Sequence, residues 1–393
     1  MGDSTNPEPS DNLSSLTAPD GESPRPRGRG RPRKNWTASS TPTHEETTLS
    51  SALTTSGSTG QSSQRSNLNI DEVELLLHFA QFTAYSLIDN KPSNGPMLRF
   101  WSHSLPRIGL THHFVLHLAY ALAAYHLACH ATIDSPENLK YSRMAKHHAS
   151  LGLSQLTSAL SRIDPYNCGA VYIAATLVCY CTFAAGPTGP GDLLVCNLDA
   201  THDAGWLPLI YGVRLIREKF DDGVLFSGLM KPFGPDKSQP ESEPSLSETL
   251  RARCHREGFE RLDWEEPLRN LREFVASQTF ENSEICLREL DGLILIYEAT
   301  YGDRDAKFEG SSVNEFAFGW LYRLDKPFIN CFQQRNATAL VILAYYAVLL
   351  RTVEHLWFMD GWADHLLATV RNLVGDDYIV WLQWPTESLR QKM

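Results

Sequence analysis

The period of the apolar residues is the feature that most constrains the fold of this 393-residue chain. From residue 71 onward, apolar side chains recur every three or four residues, the spacing of a helix with one buried face. Residues 71–87 show this spacing and open with acidic side chains, which are favourable at a helix N-terminus. No segment shows the alternation of apolar and polar residues that is typical of a half-buried strand. The sequence therefore predicts an all-α, multi-helix domain.

The same periodicity and the turn signals between segments predict further helices along residues 71–393. They are expected near residues 114–130, 142–160, 206–220, 265–277, 283–299, 313–323, 326–355 and 360–374. Two stretches rich in Gly, Pro and Ser interrupt the pattern, at residues 186–191 and 231–247. We expect both to be surface loops, and the second is a candidate boundary between subdomains.

The first 70 residues have a different composition. Ser, Thr, Pro, Gly and Asn dominate there, and large apolar side chains are almost missing. Such a segment cannot bury enough apolar surface to offset its conformational entropy. We expect residues 1–70 to be a disordered tail. The tail lacks the apolar core of a secretory signal and mixes acids with its arginines, so neither a signal peptide nor a transit peptide is expected.

A short basic palindrome within the tail has the pattern of an AT-hook. Residues 28–34 read Gly-Arg-Gly-Arg-Pro-Arg-Lys. The narrow, electronegative minor groove of A·T-rich DNA attracts inserted arginine side chains. Gly30 lets the backbone approach the groove, and Pro32 presets an extended φ. The predicted DNA-binding residues are Arg29, Gly30, Arg31, Pro32, Arg33 and Lys34.

The distribution of charge makes this hook the evident contact with DNA. Residues 1–70 carry equal numbers of acidic and basic side chains, so the net charge of -11 belongs to residues 71–393. An acidic body is repelled by phosphate. Because one hook binds weakly, we expect a homodimer or a second DNA-binding partner to raise the avidity. The same basic run could instead serve only as a nuclear import signal, and both interpretations predict a nuclear protein.

Motifs for catalysis or metal binding are missing from the sequence. It contains no G-x-S-x-G nucleophile elbow, no dinucleotide fingerprint after a strand and no C-x-x-C pair. His113 with His117 and His126 with His130 have i,i+4 spacing, but neither pair forms the H-E-x-x-H motif, so we interpret them as structural histidines. The glycines of residues 186–191 lack the Gly-Lys-Ser/Thr of a phosphate-binding loop. We expect no enzymatic activity, no cofactor and no metal site.

Residues 168–186 are uncharged and match the length of a membrane span. They are rich in Ala, Cys, Thr and Tyr, and acidic rather than basic residues flank them. We predict a helix buried in the centre of the domain and no membrane association. Residues 339–350 are predicted to form a second buried helix.

The order of the helical segments resembles the regulatory domain of fungal zinc-cluster transcription factors of the sterol-uptake-control type. The similar blocks begin at Leu75-Leu-Leu-His-Phe-Ala-Gln-Phe-Thr and end at Trp381-Leu-Gln-Trp-Pro, with residues 101–108, 114–128, 206–214, 339–350 and 357–362 between them. The resemblance covers nearly all of residues 71–390. It implies an all-α domain that dimerises or responds to a ligand, which in some members is a sterol-like lipophilic molecule.

The sequence departs from the pattern of this family in one respect. The first cysteine of this sequence is Cys129, so the six-cysteine zinc cluster of the family is missing from it. The hook lies where that cluster would normally stand. We therefore expect the hook, rather than a zinc cluster, to contact DNA, and regulators of this kind often govern a biosynthetic gene cluster.

A ligand pocket is a weaker prediction. An aromatic group beside a glycine could line an apolar cavity, although aromatics at helical spacing also form ordinary core packing. The candidate pocket residues are Trp357, Phe358, Gly361 and Trp362. The leading hypothesis is a fungal DNA-binding transcription regulator. The alternatives are a nuclear interaction protein whose basic run is only an import signal and, third, a helical enzyme or lipid carrier.

Overall fold

A computed structural model describes residues 69–88, 95–199, 207–234, 262–278, 282–302 and 317–390. Within these ranges the chain forms helices, turns and loops, and the sole β-type pairing is one isolated bridge between Asp192 and Asn197. The all-α fold class is thereby confirmed. The α-helices are α1 (Ile70–His78), α2 (Ala84–Ser86), α3 (Pro96–Arg99), α4 (Leu105–Thr111), α5 (His113–His130), α6 (Pro136–Leu160), α7 (Cys168–Ala184), α8 (Leu207–Lys219), α9 (Asp222–Leu225), α10 (Glu265–Ser277), α11 (Ser283–Tyr301), α12 (Ala317–Arg323), α13 (Lys326–Gln333), α14 (Ala337–Leu350), α15 (Trp362–Leu373) and α16 (Gln383–Arg390).

The N-terminal helices pack around α5 and α7. The predicted helix over residues 71–87 is present as α1, a π-helical segment at Phe79–Thr83, and α2. Helices α5 and α6 form an antiparallel pair joined by a turn in which Ser135 caps α6, its Oγ accepting a hydrogen bond from the Asn138 N–H. Helix α7 packs against both of them. It is the buried helix expected over residues 168–186, since most of its residues are buried.

Helix α14 lies at the centre of the C-terminal helices. All of its residues after the first are buried, because α11, α13, α15 and α16 pack around it. The prediction of one helix over residues 326–355 is wrong. The chain leaves α13 at Gln333, Arg335 adopts a positive φ of 55°, and the side chain of Asn336 then caps α14. Apolar residues occur on both sides of the turn between α13 and α14, because both helices are largely buried. The apolar pattern therefore does not reveal where one helix ends and the next begins.

Contacts between residues distant in sequence join the two groups of helices. The Trp362 indole N–H donates to the carbonyl of Phe183 at the end of α7. The ring of Phe183 stacks on Phe318 of α12, with centroids 5.6 Å apart. All described residues accordingly belong to one compact unit, which extends from Ser66 to Met393.

Of the two predicted loops, the first is described in full and the second only in part. Residues 186–191 form a turn in which Gly186 has a positive φ of 71°. Residues 231–233 instead end a 3-10 helix at Gly228–Phe233, and residues 235–247 lie outside the described ranges. Several short helices escaped prediction, namely α3, α4, α9 and α16. Each is too short for apolar periodicity to identify it.

Candidate functional site

The predicted AT-hook lies outside the described residues. Arg29, Gly30, Arg31, Pro32, Arg33 and Lys34 therefore have no structural description, and DNA binding by the hook stays a prediction. The rest of the candidate sites lie within the helical unit.

Trp357, one of the candidate pocket residues, connects the two ends of the helical unit. Its indole N–H donates to the Ser86 hydroxyl at 3.0 Å, across 271 positions of sequence. Its ring also packs on the imidazole of His126, with the centroids 4.9 Å apart. Trp357 is thus fixed by specific contacts to α2 and α5.

Of the other candidate pocket residues, Phe358 and Trp362 are buried, whereas Gly361 is exposed. Phe358 is buried and stacks on Tyr180 of α7, with centroids 5.0 Å apart. Gly361 begins α15 with a positive φ of 75°, a conformation that glycine adopts without steric cost. Trp362 has 1% of its surface exposed. Of the four residues, Trp357 and Phe358 contact each other, with ring centroids 5.6 Å apart, and the ligand pocket proposed for the set remains a prediction.

A chain of hydrogen-bonded histidines lies next to Trp357. His126 Nδ1 is 3.0 Å from His78 Nε2, and His126 Nε2 is 3.1 Å from His130 Nε2. The Thr83 hydroxyl lies 3.2 Å from the same Nδ1. Burial, together with the neighbouring His130 and His78, lowers the pKa of His126 to about 4. His126 is therefore neutral at physiological pH and links α1 to α5 through hydrogen bonds.

A second histidine pair joins α5 to α6. The Nδ1 atoms of His117 and His148 are 3.1 Å apart, and the two rings stack with centroids separated by 5.4 Å. Burial, together with the neighbouring His117 and His147, lowers the pKa of His148 to about 4. In the described part of the chain, no group of three or more His, Cys, Asp or Glu side chains has a geometry suited to a metal ion. His126 and His130 do contact each other as their spacing suggests, but the contact is a hydrogen bond in the helical core.

A cleft of about 250 Å³ lies away from the predicted pocket residues. It is bounded by the end of α4, the first turn of α7 and the segment from α9 to the following 3-10 helix. Its lining is mixed, with polar groups from Thr111, His112 and Ser227 opposite Leu225 and Met230. Sequence reasoning missed this cleft because its walls come from three segments that are distant along the chain.

In the glycine-containing loop after α7, carboxylates of the loop itself accept hydrogen bonds from its backbone N–H groups. Asp192 Oδ2 accepts hydrogen bonds from both the backbone N–H and the hydroxyl of Thr188. Asp199 Oδ2 accepts from the Gly191 N–H at 2.9 Å. Two of the N–H groups that a phosphate would need are thus occupied by carboxylates, which would also repel it.

Within the described ranges, no single helix is both long enough and apolar enough to cross a membrane. Helix α13 and the segment 337–353 satisfy the length and composition criteria only as a pair, and they are bent by 106° relative to each other.

Cysteine chemistry contributes no site to the described residues. None of the seven described cysteines forms a disulfide bond, and Cys254 lies outside the described ranges. Burial raises the pKa of Cys179 to about 12, which keeps this thiol protonated. The buried cysteines act as small apolar side chains.

Comparison with known proteins gives one distant similarity. No family model matches the chain. A protein of Gibberella zeae described as a Zn(2)-C6 fungal-type transcription factor is 22% identical over 332 residues, which represent 80% of this chain and 61% of that protein. The chain thus spans less than two thirds of the length of this relative. The helical chain is a distant relative of a fungal transcription factor.

Proposed function

We propose that this chain is a nuclear, DNA-binding transcription regulator of a fungus. Arg29 and Arg31 of the hook insert into the minor groove of A·T-rich DNA, and Arg33 and Lys34 contact phosphates. The helical unit dimerises, senses a lipophilic ligand or recruits other proteins. The proposal includes control of a biosynthetic gene cluster, as the resemblance to fungal regulators implies.

The observation that carries the proposal is the combination of a transcription-factor relative with a hook pattern. The relative extends over 80% of the chain, so the similarity involves the helical unit and not only a short motif. A transcription-factor relative also agrees with the expectation of a protein without enzymatic activity. In this sequence, whose first cysteine is Cys129, the hook supplies the DNA contact that a zinc cluster would otherwise make.

The test is a fluorescence titration of the full-length protein with A·T-rich and G·C-rich duplexes at low and moderate salt. The variant Arg29→Ala with Arg31→Ala removes the two groove-inserting side chains. The matched control, Arg25→Ala with Arg27→Ala, removes the same charge outside the Gly-Arg-Gly-Arg-Pro core. We expect the wild-type protein to prefer the A·T-rich duplex by about tenfold or more, since groove contacts discriminate by more than about 1 kcal/mol.

The two variants should behave differently. The Arg29/Arg31 variant should lose the A·T preference, whereas the Arg25/Arg27 variant should bind both duplexes more weakly but keep the preference. Equal binding of A·T-rich and G·C-rich duplexes by the wild-type protein would contradict the proposal. That result would favour the alternative of a nuclear interaction protein whose basic run serves import alone.

A further inference from the structure

Helix α6 has a wide face that is open to solvent. Although it is 25 residues long, its buried residues are only Ala145, His148, Gly152 and Leu156, which form a single narrow stripe. This stripe packs on α5 and α7. The remaining faces of α6 are therefore available for contact with another molecule.

The exposed side of α6 is basic in a protein that is acidic as a whole. Lys140, Arg143, Lys146 and His147 are exposed within about two turns of helix, and we call these four residues the α6 basic face. The sequence contains no Asp or Glu from Asn138 to Ile163, although the chain has 46 acidic residues and a net charge of -11. Glu137, in the first turn, is thus the sole carboxylate on α6 itself, and none follows it within the helix.

Neighbouring helices neutralise only one end of the α6 basic face. Lys140 Nζ lies 3.1 Å from an Asp71 carboxylate oxygen and 3.7 Å from one of Glu74. Arg143 and Lys146 form no ion pair with any residue in the described ranges.

Two other exposed arginines of the unit are paired with carboxylates. Arg272 binds Asp291 at 2.6 Å, and Arg288 contacts both Asp325 and Glu289. The α6 basic face therefore differs from these arginines in keeping cations available for a partner.

The chemistry of the helix beyond these cations suits a phosphate backbone. Ser150, Ser154 and Thr157 follow on exposed positions of α6. Serine and threonine hydroxyls commonly contact phosphate oxygens beside Lys and Arg. Beyond Glu137 in its first turn, α6 presents cations and hydroxyls without carboxylates, which matches the uniformly negative surface of a phosphate backbone.

We propose that the α6 basic face binds the phosphate backbone of the same DNA duplex whose A·T-rich segment the hook engages. This inference rests on the proposed function and deepens it. Only residues 35–69 separate the hook from α1, a length of chain that can span at most about 120 Å. Helix α1 is held against α6 by the hydrogen bond from the Tyr141 hydroxyl to Glu74, at 2.9 Å. A hook bound to DNA thus raises the local concentration of phosphate at α6.

The test compares full-length wild-type protein with the variant Arg143→Gln with Lys146→Gln. The two DNA duplexes are about 12 and about 30 base pairs long and share the same central A·T-rich segment. The affinity for each duplex is measured over a range of salt concentrations. The matched control, Arg269→Gln with Arg371→Gln, removes the same charge from exposed positions on α10 and α15. Far-UV circular dichroism establishes that each variant is folded.

We expect the wild-type protein to bind the longer duplex more tightly and with a steeper salt dependence. The Arg143/Lys146 variant should lose this advantage, and its slope of log affinity against log salt should decrease by about 2. The control variant should keep both the tighter binding of the longer duplex and the wild-type salt dependence. Loss of the advantage for the longer duplex would also distinguish phosphate contact from binding of an acidic protein at the same face.

The outcomes separate this inference from the proposed function. If the Arg143/Lys146 variant retains the wild-type slope while the Arg29/Arg31 variant loses A·T preference, the role of α6 is wrong and the hook proposal stands. If wild-type protein binds neither duplex, both proposals are wrong. If the control variant loses as much salt dependence as the Arg143/Lys146 variant, the effect reflects net charge and the inference is overturned.

Discussion

Gly152 marks a close approach between α5 and α6. A Cβ atom at this position would lie 2.7 Å from Leu118 Cγ and 3.2 Å from the Phe114 carbonyl oxygen. The side chain of Leu118 could move, but the backbone of Phe114 cannot move without disturbing α5. The absence of a side chain at Gly152 therefore sets the distance between the two helices.

Replacement of Gly152 by Ala should lower the free energy of unfolding by about 1–3 kcal/mol, because overpacking outweighs the gain in helix propensity. Gly292→Ala in α11 is the matched control, since a Cβ there would meet no atom within 4 Å. That change should raise the free energy of unfolding by about 0.5–1 kcal/mol. Urea unfolding of both variants checks the prediction, and an equal response of the two would contradict it.

The buried histidines make stability depend on pH. The pKa of His126 and that of His148 are each lowered to about 4 in the folded protein, from an ordinary value of 6.5. Between these values the unfolded chain binds protons that the folded protein excludes. The contribution of these two histidines to the free energy of unfolding is therefore fully present above about pH 6.5, and it is lost as the pH falls toward 4.

The variant His148→Gln should show a weaker loss of stability between pH 6.5 and 4 than the wild-type protein. Each of the two histidines can account for up to about 3 kcal/mol of this loss. The measurement is the free energy of unfolding at a series of pH values. His147→Gln, an exposed neighbour, serves as the control. An unchanged pH profile in His148→Gln would show that other groups dominate acid unfolding.

At the scale of the element, capping decides where α14 begins. Asn336 Oδ1 accepts a hydrogen bond from the Ala339 N–H at 3.0 Å. The preceding Arg335 reverses the chain with its positive φ. These two residues separate α13 from α14, even though apolar side chains continue on both sides.

Asn336→Ala should lower the free energy of unfolding by about 1 kcal/mol, because one N–H at the start of α14 loses its partner. Asn336→Ser should retain most of the stability, since a serine hydroxyl can accept the same hydrogen bond. Thermal denaturation of the two variants makes the comparison. A serine variant as unstable as the alanine variant would indicate that the amide has a role other than capping.

The extent to which elements could be predicted follows their length and burial. Helices α10 and α11 begin where apolar periodicity and turn signals predicted them, at Glu265 and Ser283. Helix α14 shows no such one-sided pattern, because neighbours surround it completely. Its existence could be predicted from its apolar composition, whereas its separation from α13 depends on one capping residue and one positive φ.

At the scale of the whole molecule, the tryptophans join segments that are far apart in sequence. Trp357 bonds to Ser86, and Trp362 bonds to Phe183. Both contacts connect the C-terminal helices with the N-terminal ones. Unfolding of either group would therefore expose apolar surface on the other.

This arrangement predicts one cooperative unfolding transition for the helical unit. Tryptophan fluorescence and far-UV circular dichroism should give the same midpoint. Trp362→Ala should lower that midpoint in both signals together, with a loss of about 3–5 kcal/mol from removal of a fully buried side chain. Two separate transitions in the wild-type protein would show that the groups of helices unfold independently.

Like the elements of the fold, some candidate sites could be recognised from the sequence and others only from the tertiary structure. The hook pattern could be recognised in the sequence because its residues are contiguous. The α6 basic face could not be recognised in this way. The net charge of residues 71–393 is strongly negative, and it conceals a local excess of cations. The cleft beside α7 likewise required the meeting of α4, α7 and α9.

The amino-acid sequence by itself determined the all-α class, the positions of the long helices and the hook pattern, because periodicity and short motifs are local properties. The tertiary structure alone decided that His126 bonds to His78 and His130, that Trp357 meets Ser86, and that the exposed side of α6 is basic. These features arise when packing brings distant segments together and removes some faces from water while leaving others exposed. The interactions involved are short-ranged, so only the folded arrangement of the helices selects which residues take part.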